Sequence, residues 1–361
     1  MSTNKYSFLF YKKNKEFQLA ADFERQHKII PLSRRAMLKF FPRVLGLQEL
    51  FPPLEGVRGR KNGISILLFL FIFQLAFTGC EDEISPELED APAIVVVDAW
   101  LNNKPEPQII RVNSTQEYFD NTLPPGISGA SVQVADENLK VYEFLETEPG
   151  VYTWTPQAGE TFGQIGLQYG LNVEYNGVSY NSFSKMNGVP PVDSISFQFE
   201  EEDGPFPEGY FAEFWARDLP GEGDTYWIKT WKNGIYRGKP SEINVAFDAG
   251  FSSGGSIDNL IFIPPIRFGV NSFDEDDDGE FLAPYLPGDS IYVELHSITN
   301  EAFYFLNEVA FQTDRPGGFA ELFATPLSNV VTNIVPSDEN IEVVGFFNVS
   351  AVSGNGKRLV E

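Results

Sequence analysis

The stretch Val173-Glu174-Tyr175-Asn176-Gly177-Val178-Ser179-Tyr180 places an Asn-Gly pair between two alternating apolar and polar runs. Gly accepts positive φ without steric cost, so Asn-Gly at this spacing predicts a two-residue hairpin between antiparallel strands. Working outward, Ile165 to Tyr175 forms the first arm. Upstream, Ala93 to Trp100 (A-I-V-V-V-D-A-W) has the continuous apolar character of a buried strand. Gln108 to Val112, Ser131 to Ala135, Lys140 to Phe144 and Gly150 to Trp154 are short alternating runs separated by turn residues. Strands this short at this spacing predict an antiparallel sandwich of about seven strands over 93–186.

Asn187-Gly188-Val189-Pro190-Pro191-Val192 is the best internal boundary, because two prolines cannot continue a central strand. A second β-rich domain is expected over 193–361. Its strands are Asp193 to Phe199, Tyr210 to Ala216, Thr225 to Trp231, Ser290 to Ser297 and Glu342 to Ser353, with a turn at Lys232-Asn233-Gly234. Within Ser290 to Ser297, Ile291, Val293 and Leu295 share one face, and Tyr292, Glu294 and His296 the other. One helix is expected over 300–312. Thr299 or Asn300 caps it, Glu301 lies in its first turn, and Phe303, Leu306 and Ala310 form its apolar stripe. The fold class is therefore mainly β.

The formal net charge of the 361 residues is -25, and it is unevenly divided. Residues 1–79 carry a net +8 and residues 80–361 a net -33. That acidity excludes nucleic acid as a partner, whose binding relies on Lys and Arg neutralising phosphates. Aromatic residues make up 14% of the chain, which argues for a packed core rather than disorder.

Ile64 to Phe73 is an apolar run, preceded by Arg58, Arg60 and Lys61 and followed by Leu75-Ala76-Phe77-Thr78-Gly79-Cys80. Basic residues, a short apolar stretch and small residues describe a secretory signal, too short to span a bilayer. The end resembles a lipobox, with Phe77 where Leu is more usual. Residues 57–79 are thus read as a lipoprotein signal peptide, and Cys80, the sole cysteine, as the lipid attachment site. Glu81-Asp82-Glu83 opens a polar, Pro-containing tether over 80–92. Its acidic start resembles the signal that exports some lipoproteins to the surface of the outer membrane, with the periplasmic face as the alternative. Residues 1–56 are basic, Phe-rich and unlike a signal peptide. They are expected to be a mis-annotated extension, with translation starting at Val57.

Few residues offer chemistry. Asp274, Asp276 and Asp278, followed by Gly279, match the front of a calcium loop. Tyr285 stands where a bidentate Glu would close it, so a solvated acidic loop competes with a calcium clamp. Apart from this possible Ca2+, no cofactor is expected. Gly250-Phe251-Ser252-Ser253-Gly254 has the spacing of a serine-hydrolase elbow, but lacks a following helix. His296, the only histidine after Cys80, is read as an outward strand residue and a poor metal anchor. Trp154, Trp215, Trp227 and Trp231 are read as core, with a stacking platform as the alternative. No catalytic motif has supporting context, so the chain is expected not to be an enzyme. A glycan-active enzyme is the remotest alternative.

Several segments in order resemble one family, the Bacteroidetes-type lipoproteins with the domain of unknown function 4249. They are the lipobox, V-V-V-D-A-W-L-N-N-K-P (95–105), G-A-S-V-Q-V (129–134), P-G-V-Y (149–152), P-G-D-S-I-Y-V-E-L (287–295), G-G-F-A-E-L-F-A-T-P-L-S-N-V-V-T-N-I (317–334) and G-F-F-N-V-S-A-V-S (345–353). The resemblance implies an immunoglobulin-like or transthyretin-like first sandwich and a neighbouring gene for a TonB-dependent receptor. It carries no catalytic residue across. The function it suggests is an accessory lipoprotein held in the outer membrane by the lipid on Cys80 and serving such a receptor in ligand capture or uptake. A calcium-stabilised surface or adhesion module is the alternative.

Overall fold

A computed structural model describes residues 92–360 except 117–119, 121, 205, 254–256, 278, 316 and 318–322. Cys80, the signal peptide, the extension and nearly all of the tether lie outside the described residues. The chain from Asp90 onward forms one compact unit.

The first half supplies β1 (Val95–Asn102), β2 (Gln108–Ser114), β3 (Ser131–Asp136), β4 (Val141–Glu148), β5 (Val151–Trp154), β6 (Gln168–Tyr175) and β7 (Val178–Lys185). The Asn176-Gly177 turn has φ of 50° and 80°, as a tight hairpin requires. The second half supplies β8 (Ser194–Glu200), β9 (Gly209–Trp215), β10 (Thr225–Lys232), β11 (Ile235–Arg237), β12 (Asn244–Phe247), the short helix α1 (Pro264–Phe268), β13 (Ser290–Ile298), α2 (Asn300–Thr313), β14 (Val335–Pro336), β15 (Val343–Ser350) and β16 (Val352–Arg358). Thr299 caps α2, its hydroxyl accepting from Ala302 N, and Phe303 and Leu306 are buried as the apolar stripe requires.

The protein is mainly β, with a nearly closed sandwich as its larger layer. Nine strands lie in the order β14-β7-β6-β3-β4-β5-β2-β1-β15. All neighbours are antiparallel except β1 and β15, which run parallel over eight residue pairs from Val95↔Val343 to Asn102↔Ser350. The sheet curls until its ends meet: Val349 N on β15 donates to Ser184 Oγ on β7 at 3.0 Å. Inside sits a core of Val97, Ala99, Leu101, Ile110, Val134, Tyr152, Tyr169 and Leu171, together with Phe347 and Val349 from β15. A second sheet runs β11-β10-β13-β16, with β12 also paired to β10, and β8 and β9 form a separate pair. Its core includes Phe214, Tyr226, Ile228, Phe262, Val293 and Leu295.

Two expectations need revision. The single strand read over 342–353 is two strands serving different sheets. The chain turns at Ala351, whose N donates to Ser297 Oγ (3.0 Å), while its carbonyl oxygen accepts from Ser297 N (2.9 Å). The first sandwich therefore does not close on residues 93–186 alone, since β14 and β15 come from the far end of the chain. Residues 187–192 do connect the layers, but they are packed rather than free. Pro190 and Val192 are buried, and Asn355 Nδ2 donates to Val192 O at 3.0 Å.

Candidate functional site

The face of the second sheet opposite its core is lined by alternate residues of β10 and β13. Their register pairs Trp227 with His296, Lys229 with Glu294, and Trp231 with Tyr292. Period-two alternation alone would send such a polar face to solvent. Here β1 and the loop after it cover much of it, so Glu294 and His296 are buried at 2% and 6% exposure. His296 is thus an inward residue, correcting the outward placement read from its strand.

Burial of an ionised carboxylate is costly unless it is paired and hydrogen-bonded. Lys104, on the loop after β1, places Nζ 2.9 Å from Glu294 Oε1, and His296 Nε2 donates to Glu294 Oε2 at 2.9 Å. Desolvation raises the Glu294 carboxyl, but those two bonds outweigh it and hold the group below its ordinary value. Desolvation pushes the His296 imidazole down to about 4, against the pull of Glu294. At neutral pH the pair is therefore a carboxylate and a neutral imidazole, with neither poised to exchange a proton.

Lys229 holds its ammonium 3.8 Å above the Trp227 ring, a cation–π arrangement. Burial pulls its amine down to about 8, opposed by Glu294 and Asp98. Trp227 meets the Trp100 ring edge-on at 5.1 Å, and Trp100 stacks on Phe346, closing the inner end of the cluster. At the outer end Trp231 lies 5.2 Å from Tyr236 and 5.8 Å from Tyr292, both partly exposed.

In the acidic loop the first carboxylate is paired within the chain. Asp274 pairs with Arg237 Nη2 and Lys239 Nζ, each at 2.6 Å, and these cations hold its carboxyl below the usual range. Asp276 Oδ1 accepts from Glu280 N within its own turn, where Gly279 has φ 78°. Asp278 lies outside the described residues. Tyr285, at the closing position, is buried and donates to Val270 O at 2.9 Å. Among the described residues no group of three or more His, Cys, Asp or Glu is placed to hold a metal.

Ser252 sits on an exposed turn, whereas His296 is committed to Glu294. The remaining tryptophans are dispersed. Trp154 packs against Tyr142 and Phe162, and Trp215 lies 4.0 Å beneath the Arg267 guanidinium while bonding Ser196 Oγ. Sequence reasoning placed Glu294 and His296 on one face but missed Lys104 and Lys229 as their neighbours. The signal for Lys229 was its position between two tryptophans on an alternating strand.

No match is found among curated proteins. The family model described as Domain of unknown function (DUF4249) matches residues 81–355, which takes in every strand described above except the end of β16. That match spans most of the 361 residues, and the chain belongs to the DUF4249 family.

Proposed function

We propose that this chain is a lipid-anchored accessory protein of the outer membrane that captures or hands on a ligand for a TonB-dependent receptor. The observation that carries the anchor is the order of features from Arg58 to Glu83: basic residues, an apolar run, a lipobox-like end at Cys80 and an acidic tether. Among the described residues no helix is long and apolar enough to cross a membrane. The receptor partnership rests on the family resemblance, and a net charge of -33 after Cys80 favours partners other than nucleic acid.

Cells expressing the natural chain and Cys80→Ser, fed a labelled palmitate precursor, test the anchor. The natural chain should carry label and sediment with outer membrane, while Cys80→Ser should be unlabelled and soluble. Label on the variant would sink the assignment. Pull-down from detergent extracts tests the partnership: a β-barrel receptor should co-purify, and its reproducible absence would remove that half. Protease added to intact cells distinguishes the surface from the periplasmic face.

A further inference from the structure

We propose that the aromatic row of Tyr236, Trp231 and Tyr292 is a binding platform for neutral glycans, whose sugar rings stack upon it. The row crosses three strands, because the register sets Trp231 of β10 beside Tyr236 of β11 on one side and Tyr292 of β13 on the other. Its steps are 5.2 and 5.8 Å between ring centroids, comparable to the spacing of successive sugar rings in a chain. The two outer rings stay 44% and 41% exposed, whereas Glu294 and His296 on the same face are buried. Glycines make the beds for these rings. A Cβ at Gly354 would stand 2.9 Å from Tyr292 Cζ, and one at Gly356 3.1 Å from its Cδ2, so the ring lies along β16 over both. A Cβ at Gly238 would likewise stand 3.0 Å from Tyr236 Cδ1. Glycine weakens a strand, and within one it marks a close approach to the backbone. An aromatic ladder kept for stability alone has no need of two glycines on one face of β16. Here they let Tyr292 lie with one ring face down and the other towards solvent.

An aromatic face carries partial negative charge and attracts the C–H face of a sugar ring. The polar groups around the row narrow the ligand further. Among the described residues the Trp231 indole N–H and the Tyr236 hydroxyl have no hydrogen-bond partner. Glu106, 45% exposed and paired only with Lys104 at 3.2 Å, offers an acceptor near the Tyr292 hydroxyl. A sugar brings hydroxyls to such groups, whereas an apolar peptide side chain would cover them unpaired. The charges beside the row cancel, Lys104 and Lys229 standing against Glu106 and Glu294. With a net -33 on the chain after Cys80, that border suits a neutral ligand and repels an anionic one.

This names a ligand class for the capture role proposed above and rests on that reading only for its place in the cell. The full chain, in a detergent without a sugar headgroup, is titrated calorimetrically with cellohexaose, maltohexaose and hexagalacturonate. One of the two neutral chains should bind with a Kd on the order of 1 mM or tighter. Hexagalacturonate should bind about tenfold more weakly or not at all. Trp231→Ala, Tyr236→Ala and Tyr292→Ala should each lower affinity about fivefold or more. The two exposed tyrosine variants should keep the natural thermal transition. Gly356→Val, which lifts the Tyr292 ring from its bed, should weaken binding with all three rings still present. Tyr304→Ala, 57% exposed on α2, should bind as the natural chain does. Binding of neither neutral chain overturns the proposal, as does binding that survives all three ring truncations. Equal binding of hexagalacturonate overturns the preference for neutral chains. Because the isolated protein is titrated, failure here leaves the anchor and the receptor standing, and absence of a receptor leaves glycan binding intact.

Discussion

His296 is neutral, buried and bonded to an ionised Glu294, which links the site to pH. Its folded value of about 4 lies below the unfolded value of about 6.5, so it contributes stability above that upper value. That contribution is lost as pH falls between the two, because the unfolded chain takes up a proton the folded one resists. We expect a loss on the order of 2–3 kcal/mol across the window. His296→Gln, whose amide can still donate to Glu294, should flatten this part of the curve in urea titrations from pH 7 to 4. An unchanged curve would show that another group carries the dependence. Asp224 works in the opposite sense. Burial, with Asp218, Asp248 and Asp258 nearby, raises its carboxyl to about 6, so its charge is a liability at neutral pH. Asp224→Asn should stabilise the protein by about 1 kcal/mol at pH 7.5 after allowing for solvent screening. The corresponding Tm rise is about 2–4 °C, shrinking below pH 6. This cluster was not legible in the sequence. Its four aspartates are spread from 218 to 258, whereas the conspicuous run at 274–280 binds its first carboxylate to cations the chain already owns.

The strands were largely legible, because alternation and turn residues are local properties. β1 through β10 fall close to where the apolar patterns place them, and α2 follows its cap and stripe. Thr299→Ala should cost about 1 kcal/mol, read as a lowered urea midpoint. What local pattern could not show is which sheet a strand joins. The run from Glu342 to Ser353 reads as a single strand, yet it covers β15 and the start of β16, which belong to different sheets. Gly345 holds that arrangement: its φ is 107°, and a Cβ there would stand 2.0 Å from the Val97 carbonyl oxygen across the parallel pair. Gly345→Ala should therefore cost roughly 3 kcal/mol or more, through both strain and the displaced strand. Gly129 also has positive φ, 78°, but open space around it. Gly129→Ala should lose only about 1 kcal/mol. Equal losses at both positions would mean that the close approach to β1 is not what matters.

For the molecule as a whole, strands from both sides of 187–192 share the larger sheet. Phe347 and Val349 enter the core of the first layer from the last strands of the chain. A fragment covering 93–186 should accordingly lack a cooperative thermal transition, whereas 92–361 should show one. A sharp transition in the short fragment would mean that its seven strands suffice. Distant pairings of this kind were out of reach of sequence patterns, because they depend on three-dimensional closure rather than period. The β1 and β15 pair also has a mechanical meaning. Any pull on the proposed tether enters the folded part through β1, which is flanked by β2 on one side and by β15 along its whole length. Drawn along its own axis, such a strand must shear many transverse hydrogen bonds together instead of unzipping them singly. The proposed anchor would thus pull on a strand gripped on both sides, so that load applied through the tether meets a clamp.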